Sequence, residues 1–165
     1  MTAEQIIIES ALTSWKSNVA RATKYFVDLS EDEGQKPVAP GRNRIIYLLG
    51  HLTAIHDGMI PLLRVGERLH PELADVFIAT PDRAVADHPP LEDLKNFWAT
   101  VNSHLLALMQ QDTSLSWWAE RHASASEEDF RTNPNRNRLS ILLGRTNHLS
   151  YHLGQIALAP EGPDE

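Results

Sequence analysis

Apolar residues recur at alternating spacings of four and three along residues 3–29, and this pattern constrains the fold more than any other feature. The stripe contains no glycine or proline and comprises Ile8, Leu12, Trp15, Val19, Ala22, Phe26 and Leu29. Such spacing places every member on one face of an α-helix. Similar helical stripes return in residues 43–63, 91–111 and 137–159, and no run shows convincing strand alternation. The sequence therefore predicts an all-α fold with four main helices.

Two long connections separate the later helices. Pro61 should kink or end the helix over residues 43–63, because a proline inside a helix removes one hydrogen bond and clashes with the preceding turn. Residues 64–90 follow as the first connection, in which Glu72 to Ile78 could form a short helix, and residues 112–136 are the second. A connection as long as 64–90 often forms a lid or a pocket wall. A simple crossover between distant helices is an equal alternative.

Four helices with long connections predict an antiparallel four-helix bundle. The length of 165 residues fits one domain with a real core. We place that domain at residues 1–160 and expect residues 161–165 to be a frayed C-terminal tail.

Composition excludes several classes of function. The formal charge of −7 argues against a nucleic-acid-binding surface, which needs a basic field. The absence of cysteine removes disulfides, thiolate metal ligands and a cysteine nucleophile. No apolar run approaches the length of a membrane span, and the N-terminus lacks the basic region of a signal peptide. We therefore expect a cytoplasmic protein with no membrane or nucleic-acid partner.

The eight histidines include a pair, His148 and His152, at a spacing suited to metal binding. Residues four apart lie one turn above each other on a helix, where two imidazoles can share one ion. From the spacing alone, the third ligand could be His51 or His56 on the second helix or His104 on the third. Packed core histidines are the alternative. Three imidazoles around one ion would leave a position open for water or substrate.

Two polar residues flank this pair on the last helix. Arg145 precedes His148 by one turn and could bind an anionic substrate group, or it could form an ordinary ion pair. Gln155 follows His152 by three residues and could orient a ligand imidazole by hydrogen bonding, or it could bond to a neighbouring helix.

A short internal repeat links the second and fourth helices. Six of nine positions match between Arg42–Gly50 and Arg136–Gly144. The repeat predicts that both helices begin and pack alike, with Asn43 and Asn137 as N-caps and with glycines that permit close helix approach. We expect its four arginines to form structural salt bridges. The neighbouring Trp117-Trp118 pair predicts core filling, with a pocket wall or a dimer interface as alternatives.

Two motifs resemble the DinB-like (YfiT-type) family of metal-binding four-helix bundles. They are Gly50-His51-Leu52 on the second helix and Asn147-His148-x-x-Tyr151-His152-x-Gly154-Gln155-Ile156 on the last. The resemblance implies that His51, His148 and His152 are the metal ligands and that the ion is zinc or nickel. The family often has a histidine at the position of Tyr151 and a basic residue at that of Leu153, so this chain departs on the substrate side.

The resemblance also implies a class of activity. Its members include metal-dependent transferases that activate a low-molecular-weight thiol, with hydrolase and isomerase relatives, and they suggest a homodimer. The first hypothesis is therefore a divalent-metal-dependent enzyme acting on a small molecule, of the thiol S-transferase or hydrolase type. The second is a non-catalytic bundle that binds a ligand or another subunit and uses the metal structurally.

Overall fold

A computed structural model describes residues 1–84 and 87–159, and within them the chain is helical with no β-strand. The all-α prediction is confirmed for these residues, whereas the predicted tail at 161–165 lies outside them. The described helices are α1 (Ala3–Asp28), α2 (Glu31–Gly34), α3 (Ile45–Asp57), α4 (Met59–Leu62), α5 (Leu91–Met109), α6 (Leu115–Trp118), α7 (Glu127–Thr132) and α8 (Arg138–Ala157), with a π-helical turn at Asp75–Ala79 between α4 and α5.

Pro61 interrupts the second predicted helix. Helix α3 ends at Asp57, Gly58 forms a turn, and α4 resumes for only four residues. The Pro61 ring would clash with the carbonyl of the residue four positions earlier, Asp57, and the break falls there. The short helix predicted between Glu72 and Ile78 is largely realised as the π-helical turn.

Two apolar clusters fix the directions of the four long helices. The first joins the C-terminal halves of α1 and α8 to α3 and to the N-terminal half of α5; its members include Phe26, Ile46, Leu94 and Leu153. The second joins the N-terminal halves of α1 and α8 to the C-terminal half of α5 and to α4, which follows α3; its members include Leu12, Met59, Leu105 and Leu142. Helices α1 and α8 therefore run one way, and α3 and α5 run the other.

The most extensive contacts are between helices that run in the same direction. Helix α3 packs mainly on α5, and α1 packs mainly on α8. The antiparallel pairs α1 with α5 and α3 with α8 make less extensive contacts, so the arrangement differs from a simple antiparallel order. The chain between α3 and α5 must return along the length of the core, which explains the long connection.

The two repeated segments start their helices in different ways. Asn137 caps α8, because its Oδ1 accepts a hydrogen bond from the backbone N–H of Ser140 at 2.9 Å. The N-cap of α3 is Arg44, so the predicted cap Asn43 is wrong. The carboxylate of Asp82 instead accepts the Arg44 backbone N–H at 2.8 Å and pairs with its guanidinium at 2.7 Å.

The repeated glycines also differ. A Cβ added at Gly50 would lie 2.4 Å from the ring of Phe77, so glycine is needed where the π-helical turn crosses α3. No atom among the described residues lies within 4 Å of a Cβ added at Gly144. The prediction of a close approach is therefore confirmed at Gly50, against the turn rather than a long helix, and is wrong at Gly144.

The tryptophan pair fills the core, as the sequence predicted. Trp118 is fully buried, and Trp117 packs against the second cluster with the Arg138 guanidinium 4.1 Å above its ring. Three of the four repeated arginines form ion pairs, which are Arg44–Asp82, Arg136–Asp129 and Arg138–Glu120. Arg42 is exposed and has no ion pair within residues 1–84 and 87–159.

One helical stretch within the described residues, Ile45–Leu62, is long and apolar enough to cross a membrane. It corrects the expectation that no such run exists. The stretch is 67% buried inside the protein, and its apolar side chains belong to the two clusters. Burial in the core accounts for its hydrophobicity.

Candidate metal centre

Three histidines converge where α3 faces α8. Helix α3 supplies His51, and α8 supplies His148 and His152, which lie on one face because they are four residues apart. The Nε2 atom of His148 lies 3.3 Å from Nε2 of His51 and 3.1 Å from Nε2 of His152. One ring nitrogen from each residue lies within 4.8 Å of the others, so the group could hold a metal ion.

The spacing of these nitrogens suits a tetrahedral ion. Three nitrogens bound at about 2.0–2.1 Å in tetrahedral directions are separated by about 3.3 Å. The two measured Nε2 separations, 3.3 and 3.1 Å, are close to that value. Three nitrogen donors without a thiolate are a common ligand set for catalytic zinc and also suit nickel.

Hydrogen bonds on the outer side of two imidazoles direct their Nε2 lone pairs towards the centre. His51 donates its Nδ1–H to the carbonyl of Phe77 at 2.8 Å, and His152 donates its Nδ1–H to Oε1 of Gln155 at 2.8 Å. Outer partners of this kind orient metal-bound histidines and raise their basicity. In the structure Gln155 accepts a hydrogen bond from His152, which is the orienting role considered for it from the sequence.

The sequence predicted a short helix where the π-helical turn lies, but not its contact with His51. Its Phe77 carbonyl accepts from His51, and Tyr47 holds the turn by donating its hydroxyl to the carbonyl of Thr80 at 2.7 Å. The Tyr47 ring also lies nearly parallel to the His51 ring, at 6.3 Å. A backbone carbonyl cannot be recognised from residue type. Gly50, which has no side chain and precedes His51, was the one signal that another segment packs closely on α3 there.

The surroundings keep all three imidazoles neutral, which is the form that binds metal. Burial lowers the pKa of His51. The hydrogen bond to the Phe77 carbonyl opposes this shift, and the Arg145 charge adds to it. Burial, followed by the other two histidines, lowers the pKa of His148 to about 4. Burial also lowers the pKa of His152, with Gln155 opposing the shift.

The donor set fits a cation at the centre. His51 and His152 both direct lone pairs inward, and His148 has one proton at most to offer them while it is neutral. Its other ring nitrogen, Nδ1, is buried with no hydrogen-bond partner among the described residues. A divalent ion would satisfy all three Nε2 atoms at once.

Arg145 lies near this centre without a counter-ion. It is half-buried and makes no hydrogen bond or ion pair with the part of the chain that the structure describes. Burial lowers its pKa, and no carboxylate opposes that shift. The ordinary ion pair considered from the sequence is therefore not formed with these residues, and the guanidinium is available to an anion.

The two other candidate ligands lie elsewhere. His104 is exposed on α5. His56 is fully buried and donates its Nδ1–H to Oδ1 of Asn102 at 2.7 Å. Among residues 1–84 and 87–159, the group with metal-ligand geometry consists of His51, His148 and His152 alone.

Comparison with known proteins supports the resemblance seen in the motifs. A search of curated proteins finds no match. The family model described as the DinB superfamily matches residues 15–156, which include the C-terminal half of α1, all of α3 and α5, nearly all of α8 and the three histidines. We conclude that this chain belongs to the DinB superfamily.

Proposed function

We propose that His51, His148 and His152 bind one divalent ion, Zn²⁺ or Ni²⁺, and that the protein is a metal-dependent enzyme of the thiol S-transferase or hydrolase type. The observation that carries this proposal is the convergence of three Nε2 atoms, two of them directed inward by Nδ1–H donation to Phe77 and Gln155. The substrate is a small molecule, with a low-molecular-weight thiol as the leading class.

A bound ion of this type supplies a position that lowers the pKa of a thiol or a water molecule. The chain's own residues do the rest. The Phe77 carbonyl and Gln155 hold two imidazoles in the neutral tautomer that presents Nε2. The unpaired Arg145 guanidinium binds an anionic group of the substrate. Neutral His56 and its partner Asn102 keep the adjacent interior uncharged.

The proposal includes the architecture around the site. Residues 1–160 form one domain, a four-helix bundle in which α1 and α8 run one way and α3 and α5 the other. The family match over residues 15–156 and the two shared apolar clusters support this. The absence of a basic surplus and the burial of Ile45–Leu62 support a cytoplasmic protein that binds neither nucleic acid nor membrane.

A dimerising bundle with a structural metal is the second candidate, and one feature favours it. The outward face of α8 exposes Leu143 and Tyr151, and Leu158 follows at the helix end. At about 100° per residue, Leu143 and Tyr151 lie about 80° apart and Leu158 continues about 20° from Tyr151, so the three share one broad face. A second copy of the chain would cover this face in a homodimer, which sedimentation equilibrium would detect.

Elemental analysis of the purified protein tests the metal proposal. We expect close to one divalent ion per chain, and its loss in the double variant His148→Ala/His152→Ala. His104→Ala is the matched control, because this histidine is exposed and outside the group. Full occupancy in the double variant would sink the site assignment.

Activity then separates the two candidate functions. The metal-loaded protein should turn over members of a panel that combines small thiols with electrophiles, and the double variant should not. A metal-loaded wild type that is inactive across the panel but dimeric would favour the structural candidate.

A further inference from the structure

A layer of polar side chains separates the two apolar clusters inside the helices. His56 lies between Ala54 of α3, in the first cluster, and Met59 of α4, in the second. Asn102 and Arg145 likewise lie between the residues that α5 and α8 give to the two clusters. On α1, Val19 packs against both clusters, and Trp15 borders the layer with its ring centroid 5.7 Å from that of His56. The core is thus interrupted at one level, next to the three histidines.

Hydrogen bonding fixes which atoms of this layer remain without partners. Asn102 donates its Nδ2 hydrogen to the carbonyl of Trp98 at 2.8 Å, so its Oδ1 is the acceptor for the Nδ1–H of His56 at 2.7 Å. Neutral His56 therefore has a lone pair on Nε2. That atom is buried in a side chain with 0% exposure and has no partner within the described residues.

Two hydrogen-bond donors without partners among the described residues, on Trp15 and Arg145, are the candidates to lie near His56 Nε2. The indole Nε1–H of Trp15 is also buried without a partner in the described part of the chain. Arg145 is half-buried on α8, three residues before His148. It lies between Leu142 of the second cluster and Leu149 of the first, which is the level of His56. In keeping with that placement, its charge lowers the pKa of both His56 and His148. A buried polar atom left without a partner costs about 1–3 kcal/mol, and such groups in native proteins usually meet a ligand or an ordered water.

We infer that Arg145, Trp15 and His56 form a recognition site for a small carboxylate that has its own hydroxyl group. The guanidinium and the indole N–H donate to the carboxylate oxygens, and the hydroxyl donates to His56 Nε2. Guanidinium suits this role because it presents planar paired donors to a carboxylate. Asn102 is a positioning residue, because it fixes the His56 tautomer that exposes the lone pair.

The inference deepens the proposed function and rests on it for the role of the site. Arg145 precedes His148 by one helical turn, so an anion bound here lies beside the three histidines. The site therefore selects a hydroxylated carboxylate as the substrate class, or as the class of one substrate in a transfer.

Titration with glycolate and acetate tests the inference, since only glycolate has the hydroxyl. The indole ¹H–¹⁵N resonance of Trp15 should shift on binding, with glycolate binding more tightly than acetate. Arg145→Gln should weaken both by about 10–100-fold, the loss of a charge-assisted hydrogen-bonded contact. The matched control is Arg42→Gln, an exposed arginine without an ion pair among the described residues, which should leave both affinities unchanged.

A double variant tests the acceptor. His56→Leu/Asn102→Leu removes both partners of one buried hydrogen bond, which is better tolerated than leaving either one alone. It should abolish the preference for glycolate over acetate. A Trp15 resonance unmoved by either acid, equal binding by Arg145→Gln and Arg42→Gln, or a glycolate preference that survives the double variant would each overturn the inference.

Metal content measured on the same samples separates this inference from the proposed function. A wild type that holds metal while Arg145→Gln binds both acids normally contradicts the inference alone. A wild type without metal that binds glycolate through Arg145 contradicts the proposed metal site alone.

Discussion

Two segments of this chain match at six of nine positions but lie in different surroundings. Arg42–Gly50 starts α3 with a cap from Asp82, 38 residues away, and its glycine lies under the Phe77 ring. Arg136–Gly144 starts α8 with its own Asn137 cap, and its glycine faces open space among the described residues. The repeated sequence therefore specifies where a helix begins. The long connection between α4 and α5, which supplies Asp82 and Phe77, makes the surroundings of the first segment different.

The comparison extends to the residues that follow the glycines. His51 directly follows Gly50, and Arg145 directly follows Gly144. A candidate metal ligand and a cation without an ion pair in residues 1–84 and 87–159 therefore occupy equivalent positions. Both are half-buried near the same centre. The same short sequence thus places two different side chains near the candidate metal centre: a neutral imidazole from α3 and a positively charged guanidinium from α8.

The largest expected effect separates these two equivalent positions. His51→Ala should abolish metal binding in elemental analysis, because two imidazoles on one helix make a weak site. Arg145→Ala should leave the metal content unchanged, because the guanidinium is not a ligand. If Arg145→Ala loses the metal as completely as His51→Ala, the assignment of different chemistry to the two positions is wrong.

The next largest effects are expected at the N-termini of α3 and α8, where the two helices begin with different hydrogen bonds. Asp82→Ala should lower the free energy of unfolding by about 3 kcal/mol, because it removes both a cap and charge-assisted bonds to Arg44. Asn137→Ala removes a neutral cap and should cost about 1 kcal/mol. Urea denaturation of both variants measures the difference. Equal losses would show that the distant carboxylate does no more than a local cap.

The two glycine substitutions should each change the free energy of unfolding by less than Asp82→Ala does, and with opposite signs. Gly50→Ala drives a methyl group into the Phe77 ring and should cost about 2 kcal/mol. Gly144→Ala meets no described atom and should stabilise the protein by about 0.5–1 kcal/mol, as alanine does inside a helix. Thermal unfolding of the two variants provides the readout, and a stabilising Gly50→Ala would contradict the close approach.

The sequence predicted the helices and the three converging histidines more fully than it predicted what surrounds them. Spacing specifies the buried face of a helix, and it did so for α1, but it does not specify the direction in which a helix runs. The parallel run of α3 and α5 therefore emerged only from the shared clusters. The Asn43 cap was wrong because the helix begins after Arg44, where distant groups take the first backbone N–H groups: Asp82 accepts that of Arg44, and the Lys36 carbonyl accepts that of Ile45.

The outer contacts of the site were only half predictable, for a related reason. Gln155 lies on the same helix as His152, so helical spacing alone could bring them together. The Phe77 carbonyl reaches His51 from 26 residues away and belongs to the backbone, which every residue has. His56 was a candidate ligand by residue type, and only its bond to Asn102 on another helix shows a different role.

The contact between α3 and α8 is far less extensive than those of α3 with α5 and of α1 with α8, and the three histidines span it. An ion there would crosslink side chains 97 residues apart in sequence. Because the unfolded chain lacks this arrangement, binding would stabilise the native state by about 2.7 kcal/mol at a free-ion concentration 100 times Kd. The docking of α8 is then linked to metal supply, and its amide hydrogens should lose exchange protection first when a chelator removes the ion.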